Sequence, residues 1–276
     1  MIRGTGPWWP VLFFCLGLIG PAAAPAAQPA KPVISIIIDD MGKQLDNGRR
    51  VLALPGPIAC AFLPRAPHTR ELAVAAHAAG KEVILHQPMD SVDGRRLDAG
   101  AVTLNMTRHE FAATVAANLA AVPYVQGINN HMGSLLTRHP GHMLWLMREL
   151  QRHSPMFFVD SRTTVDTVAR RLAWENGIPS TDRNVFLDNQ LDADELGHQF
   201  RRLIQLARKQ GSAVAIGHPH PQTLALLEKR LPTLGRQGIR LLPVGALIKL
   251  QQEDEPTWQA SWSPSPKAVK NSKPSL

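Results

Sequence analysis

Residues 33–40 read VISIIIDD, an apolar run rich in isoleucine that ends in two carboxylates. β-Branched residues favour strands, and a nearly continuous apolar run is typical of a strand buried on both faces of a parallel sheet. Polar residues directly after such a strand lie at its carboxyl end, where α/β proteins bind ligands. The segment therefore predicts a central parallel strand with candidate functional residues at its end.

The same kind of apolar run recurs along the chain, and amphipathic stretches separate the runs. Helix-start signals include the capping box formed by Thr107 and Glu110 and the N-cap candidate Asp192. Repeated strand–helix alternation indicates a parallel sheet covered by helices, and periodicity alone fits either an open doubly wound sheet or a closed barrel. Residues 90–105 lack periodicity and are predicted to form a long loop over the strand ends. The further strands are predicted at 58–63, 82–85, 127–129, 156–159, 184–187, 213–216 and 239–242.

Polar side chains follow six of these predicted strands. Carboxyl ends of parallel strands share one face, so these side chains are expected to lie near one another. Any one of them has a simpler interpretation as a turn residue. The segments are Asp39-Asp40, His86 to Asp90, Asn129-Asn130-His131, Asp160-Ser161-Arg162, Asp188-Asn189 and His218-Pro219-His220.

Four of these residues offer nitrogen and oxygen atoms suited to a divalent metal such as Zn²⁺. They are His86, Asp90, His131 and one of the two aspartates Asp39 and Asp40. The competing interpretation is that each histidine is a hydrogen-bonded structural residue. Asp39 and Asp40 can share one site only where the strand turns, and Met41-Gly42 offers that turn. If the two carboxylates lie close together, their repulsion raises the pKa of one of them, which suits a general base. In the alternative interpretation, one aspartate caps a helix and the other faces solvent.

The remaining polar residues have less specific roles. His218 lies between Gly217 and Pro219 in a tight turn and is a candidate general acid. Asn130 either orients a ligand or forms a turn. Asp160, Arg162 and Asp188 either contact substrate or form a supporting salt-bridged layer around the site. A serine nucleophile elbow, a phosphate loop and a Cys-x-x-Cys pair are absent from the sequence, which argues against the corresponding chemistries.

The amino-terminal residues 1–27 have the three parts of a signal peptide. Arg3 precedes an apolar run at 8–19, and Ala24-Pro25-Ala26 is a candidate cleavage site. The run is shorter than the roughly 20 residues of a membrane span. We therefore expect a periplasmic or secreted protein, and an uncleaved anchor is the alternative and the only predicted membrane association. The predicted domain covers 32–250, and the polar, Pro/Ser/Lys-rich segment 251–276 is predicted to be a disordered tail.

Cleavage would leave Cys60 as the only cysteine, so no internal disulfide is expected and the thiol is predicted to be buried. The formal charge of +8 suits an anionic partner such as a cell-wall polymer, although a solvated basic surface gives the same count. Export argues against a nucleic-acid partner.

Five segments resemble the divergent polysaccharide deacetylase family, a branch of the NodB-type carbohydrate esterase superfamily. They are IIDD at 37–40, HQPMD at 86–90, NNHMGS at 129–134, FVDSRT at 158–163 and GHP at 217–219. The resemblance covers residues 32–250 and implies a distorted (β/α) barrel of seven or eight parallel strands. It further implies a zinc-type metal and removal of acetyl groups from a polysaccharide, with Asp39 as base, Asp40 as metal ligand and His218 as acid.

The chain departs from the superfamily pattern at two points. At the position of a second histidine ligand this chain has Asp90, so either Asp90 or His131 is the third ligand. The Arg-x-Pro segment of the superfamily is replaced by the segment around Asn130. The resulting hypothesis is a metal-dependent deacetylase acting on a cell-envelope polysaccharide or peptidoglycan. The alternatives are a non-catalytic platform that binds glycan or protein, and a metallo-amidase or peptidase acting on peptidoglycan.

Overall fold

Parallel strands and covering helices make up the computed structural model, which describes residues 1–2, 4 and 31–254. The predicted signal peptide, apart from those first residues, and positions 255–276 of the predicted tail lie outside the described residues. Contacts divide the chain at Lys31, and the fold is that of the unit beginning there. Within the described part, no helix has the length and apolar character needed to cross a membrane.

Nine strands and eight α-helices are defined in residues 31–254. The strands are β1 (Val33–Met41), β2 (Ala59–Phe62), β3 (Glu82–Met89), β4 (Gly127–Met132), β5 (Phe157–Asp160), β6 (Ser180–Asp182), β7 (Val185–Phe186), β8 (Ser212–Gly217) and β9 (Arg240–Leu241). The helices are α1 (Leu45–Ala53), α2 (Thr69–Ala78), α3 (Arg108–Ala121), α4 (Pro140–Arg152), α5 (Ala169–Glu175), α6 (Ala193–Gln210), α7 (Pro221–Arg230) and α8 (Val244–Asp254).

The strands form one parallel sheet in the order β6-β5-β4-β3-β2-β1-β8-β7, with β9 paired to β1. The sheet curls into a barrel. No pairing joins β6 to β7 among the described residues, so the barrel is open along this seam. The predicted parallel α/β barrel is confirmed. All eight predicted strands are present, and β6 is an addition because its short polar sequence, Ser-Thr-Asp, carries no apolar signal.

The two faces of β1 explain its continuous apolar sequence. Ile34, Ile36 and Ile38 pack outward against the helices, while Val33 and Ile37 face the barrel interior. Helix α8 closes the interior with Val244, Leu247 and Ile248. At this end, the buried Glu82 carboxylate on β3 accepts hydrogen bonds from the Val244 and Gly245 amides and so caps α8.

The helix-start predictions are confirmed. Thr107 and Glu110 form the capping box of α3, and the Asp192 side chain accepts hydrogen bonds from two amides of α6. Helix α8 continues to Asp254, into the segment predicted as tail. The predicted loop at 90–105 is irregular apart from the pairing of Val102 with Met89. Cys60 is buried, as predicted, and burial raises its thiol pKa to about 12.

Candidate active site

The side chains that face the barrel interior continue into the site at the carboxyl ends of the strands. On β3 the inward series is Glu82, Ile84 and His86, and on β1 it ends at Asp39. Because alternate strand residues share a face, each polar residue is the next inward position after a buried apolar one. The barrel interior thus has an apolar floor closed by α8 and a polar rim at its other end.

Asp39 and Asp40 share the site because the strand is distorted between them. Asp40 adopts a left-handed conformation with φ of 56°, and the pairing of β1 with β2 shifts register between Ile38 and Met41. Aspartate tolerates this conformation better than most residues, and such strain concentrates at functional positions. The turn therefore occurs at Asp40 itself, one residue before the predicted Met41-Gly42 turn.

Three ligand atoms converge at this end of the barrel. Asp40 Oδ1 lies 3.2 Å from His131 Nδ1 and 3.5 Å from His86 Nε2, and the two ring nitrogens are 3.0 Å apart. A tetrahedral zinc site with bonds of 2.0–2.1 Å requires ligand separations of about 3.3–3.4 Å. Asp40 Oδ1 is buried without an aligned hydrogen-bond partner. The three residues therefore fit a divalent cation as a compact donor set.

Hydrogen bonds outside this triangle orient both imidazoles, which are the candidate ligands. The Asn129 amide oxygen lies 2.8 Å from His86 Nδ1, and the Asp98 carboxylate lies 3.0 Å from His131 Nε2. Both oxygens accept, so the protons are assigned to those nitrogens and the lone pairs of His86 Nε2 and His131 Nδ1 face the triangle. Sequence reasoning placed Asn129 at the strand ends without a role and missed Asp98; both act on the candidate ligands through the outer nitrogens.

Asp39 lies beside the triangle and is almost fully buried. Its Oδ1 accepts a hydrogen bond of 2.8 Å from the Asn129 amide, and its Oδ2 is 3.5 Å from His86 Nε2. Burial raises the pKa of Asp39 above its ordinary value, although the imidazoles of His86 and His218 act in the other direction. Burial would also raise the pKa of Asp40, but in the metal-free chain the imidazoles of His131 and His86, when protonated, outweigh it and hold that pKa well below the usual range.

His218 follows β8 and is held by Asp188. Asp188 Oδ1 lies 3.0 Å from His218 Nδ1, while Oδ2 accepts from the His218 amide at 2.6 Å and the Thr223 hydroxyl at 2.8 Å. Burial lowers the pKa of His218, but the hydrogen bond to Asp188 and the charges of Asp39, Asp188 and Asp40 outweigh it and raise the pKa to about 9. Asp188, His218 and His220 also lie within metal-binding distance of one another. However, the donors on Asp188 and the exposure of His220 favour an oriented acid.

Three other predicted residues lie near the site in mainly structural roles. Asp90 is not brought into the triangle, because its backbone carbonyl binds the Leu135 and Leu136 amides and its carboxylate faces the Leu104 amide. Asn130 joins the ends of β4 and β5 by accepting from the Ser161 amide and donating to a backbone carbonyl. Asp160 accepts from the Arg162 amide at 2.8 Å and holds the loop after β5.

A cleft of about 700 Å³ connects these groups and has the size of a small-ligand site. Asp39, His86 and His131 line one side, His218 lines another, and Arg162 lines the rim. Sequence reasoning also missed three further arginines in the lining, Arg95, Arg183 and Arg202. The cleft thus brings a buried carboxylate, the triangle of candidate ligands and an imidazole with a raised pKa to one cavity.

Comparison with known proteins places this chain among divergent deacetylase sequences. The profile of the divergent polysaccharide deacetylase family matches residues 36–248. The uncharacterized protein YibQ of Escherichia coli is 38% identical over 224 residues, which are 81% of this chain and 70% of YibQ. The residues matched by the family profile include Asp39, Asp40, His86, His131 and His218.

Solved structures share the fold at low sequence identity. The uncharacterized protein ATU2773 of Agrobacterium tumefaciens superposes with a TM-score of 0.76 at 17% identity, over 81% of this chain and 92% of its own. The peptidoglycan deacetylase PdaC of Bacillus subtilis gives a TM-score of 0.50 at 12% identity, over 86% and 100% of the two chains. These similarities concern the barrel itself.

Proposed function

Because the chain belongs to the divergent polysaccharide deacetylase family, we propose that it is a metal-dependent hydrolase that removes acetyl groups from a cell-envelope glycan. The observation that carries this proposal is the triangle of Asp40, His86 and His131 in one cleft with Asp39 and His218. A binding surface alone would not require a buried carboxylate oxygen without a hydrogen-bond partner between two imidazole lone pairs.

Asp40, His86 and His131 would hold the cation, which Zn²⁺ fits best by donor type. When bound, a divalent cation supplies Lewis-acid polarisation of a carbonyl oxygen. Asp39 is the residue placed to take a proton from the attacking water, because burial raises its pKa and Asn129 holds it in position. Asn129 contacts both Asp39 and His86, so it aligns the base with a metal ligand.

His218 is placed to protonate the leaving amine or alcohol. Its raised pKa keeps the imidazole protonated at neutral pH, and Asp188 binds Nδ1 so that Nε2 is left for the substrate. The acid and the base then carry opposite protonation states at the same pH, which acetyl hydrolysis requires.

A cell-envelope substrate and a periplasmic or secreted location are part of this proposal. The signal-peptide pattern at 1–27 supports export, and the formal charge of +8 suits an anionic wall polymer. The peptidoglycan deacetylase among the structural neighbours has the same fold, and peptidoglycan is therefore the first glycan to assay.

The first test measures zinc content of the purified chain by elemental analysis after reconstitution. We expect about one Zn²⁺ per chain, lost in His86→Ala and His131→Ala. The matched control is His153→Ala, which removes an exposed imidazole on the far end of α4. Absence of bound metal in the unmodified chain would refute the metal site.

The second test measures acetate released from acetylated peptidoglycan and chitin oligomers. Asp39→Asn keeps the acceptor for the Asn129 amide but removes the base, so acetate release should fall by a factor of about 10²–10⁴ while zinc is retained. Unchanged turnover in this variant would refute the role of Asp39. Retention of glycan without acetate release by the unmodified chain would instead support the non-catalytic platform.

A further inference from the structure

A second cavity of about 400 Å³ adjoins the cleft, and Arg162 lines both. Its other walls include Thr167, Arg170 and Trp174. The Trp174 side chain is 38% exposed on α5, which is unusual for a large aromatic residue. An exposed indole offers a flat apolar face on which the apolar face of a sugar ring can stack.

Arg162 is held in a strained backbone conformation at the boundary between the two cavities. Its φ is 49°, and its amide donates to Asp160 while its carbonyl accepts from the Arg183 guanidinium. Non-glycine residues rarely adopt this conformation, and such strain clusters at ligand-binding positions. Asp40, a candidate metal ligand, shows the same left-handed conformation at the end of β1.

Arg162 shares the lining of the cleft with other arginines. No carboxylate forms an ion pair with Arg162 or Arg202 within residues 31–254, although both line the cleft. The acids of the second cavity are already engaged: Asp160 accepts from the Thr167 hydroxyl, and Asp182 pairs with Arg170 at 2.8 Å. Burial lowers the pKa of Arg183, and the neighbouring charges of Arg162 and Arg202 lower it further, while the carboxylates of Asp39 and Asp160 act in the opposite direction. Arg183 is therefore repelled by both other guanidinium groups.

We propose that the second cavity is a subsite for a sugar unit that carries a carboxylate, and that Arg162 binds this carboxylate. The inference rests on the proposed function for the polymer, since the acetylated sugar occupies the cleft beside it. A guanidinium binds a carboxylate through two parallel hydrogen bonds, and the anion relieves the repulsion among the arginines. Trp174 stacks on the ring of the same unit.

Binding is measured by calorimetry on the full-length chain carrying Asp39→Asn, so that no substrate is consumed. The probes are an N-acetylglucosamine tetramer, the same tetramer with muramyl-type carboxylates on alternate sugars, and a tetramer with alternating uronic acids. We expect the acidic tetramers to bind at least about tenfold more tightly at low salt, with the difference shrinking as salt is added. The better of the two acidic probes identifies the source of the carboxylate.

Variants then assign the preference to Arg162. Arg162→Gln should bring the dissociation constant of the acidic tetramer to that of the neutral one, and Arg162→Lys should retain part of the difference. Arg162→Gly gives the same loss in a residue that favours the left-handed conformation, so misfolding cannot explain it. The matched control is Arg49→Gln, an exposed arginine that lines neither cavity. Trp174→Leu should weaken both tetramers by a similar factor.

Equal affinity for acidic and neutral tetramers, or a preference that survives Arg162→Gln, would overturn the subsite. The outcome is separate from that of the deacetylase proposal. An acidic preference without acetate release by the unmodified chain would remove the catalysis and leave the subsite. Acetate release without a preference for the acidic tetramers would support the catalysis and remove the subsite.

Discussion

Replacing Asp188 with asparagine should lower the pKa of His218 from its raised value of about 9. In the structure Asp188 Oδ2 accepts two hydrogen bonds, from the His218 amide and the Thr223 hydroxyl. An asparagine keeps both only if its oxygen takes that position. Its NH₂ group then faces His218 Nδ1, which can accept that hydrogen bond only without a proton.

The magnitude follows from the same contacts. The difference between 6.5 and about 9 corresponds to about 3 kcal/mol in favour of the protonated imidazole. Without the Asp188 charge and with a donor at Nδ1, the charges of Asp39 and Asp40 remain to raise the pKa, whereas burial, the largest influence, lowers it. Because the pKa of His218 is raised in the folded state, its protonation stabilises the fold fully below pH 6.5. This contribution to the free energy of unfolding is lost as the pH rises through about 9.

The assay is an NMR titration of ¹⁵N-labelled histidines in chelator-treated protein, with His218→Gln used to assign the resonance. We expect His218 to titrate near pH 9 in the parent and at a clearly lower pH in Asp188→Asn. The alkaline limit of acetate release should move in the same direction, because the general acid must be protonated. The matched control is Asp166→Asn, which changes an exposed acid. A parent pKa near 6.5, or one unaffected by Asp188→Asn, would refute the reasoning.

Two further predictions concern the ligand support and the core. Asp98→Asn removes the carboxylate that holds His131 Nε2, so Zn²⁺ affinity should fall about 10–100-fold in a chelator-competition titration. The control Asp93→Asn lies in the same loop, where the Asp93 side chain contacts Ser91 and Arg95, and it should leave the Zn²⁺ affinity unchanged. Equal Zn²⁺ affinities of the parent and Asp98→Asn would contradict the role of Asp98. Gly127→Ala places a methyl group 2.5 Å from the Phe157 ring and should lower the free energy of unfolding in urea by about 1–3 kcal/mol. In the control Gly141→Ala, the new methyl has no atom within 4 Å apart from its chain neighbours and the nearby backbone of its own helix, so the free energy of unfolding should rise by about 0.4–1 kcal/mol. An unchanged stability of Gly127→Ala would show that the Phe157 ring can move.

Most of the barrel could be predicted from the sequence because its signals are local. The run at 33–38 predicts a doubly buried strand by itself, and the parallel arrangement then brings the strand ends to one face. Strand β6 was missed because Ser180–Asp182 is polar and is a strand only through its pairing with β5. Local propensity contains no information about that long-range contact.

The site was predictable as a set of residues but not as a set of contacts. His86 and His131 were candidates by type and position, but Asn129 joins Asp39 to His86 only because β4 pairs with β3 in the register that places it opposite His86. Asp98 lies in an aperiodic loop, where nothing in the sequence relates it to His131. The distortion at Asp40 likewise depends on the pairing of β1 with β2.

The seam between β6 and β7 also bears on self-association. An unclosed sheet leaves two edges, and free edges are templates on which a second chain can add a strand and start aggregation. Here β6 has three residues and β7 has two, so each edge offers too few backbone groups for stable addition. The Arg183 guanidinium lies beside this seam and adds a charge that a neighbouring copy would have to desolvate. The chain thus keeps an open barrel without the solubility penalty that long exposed edges bring.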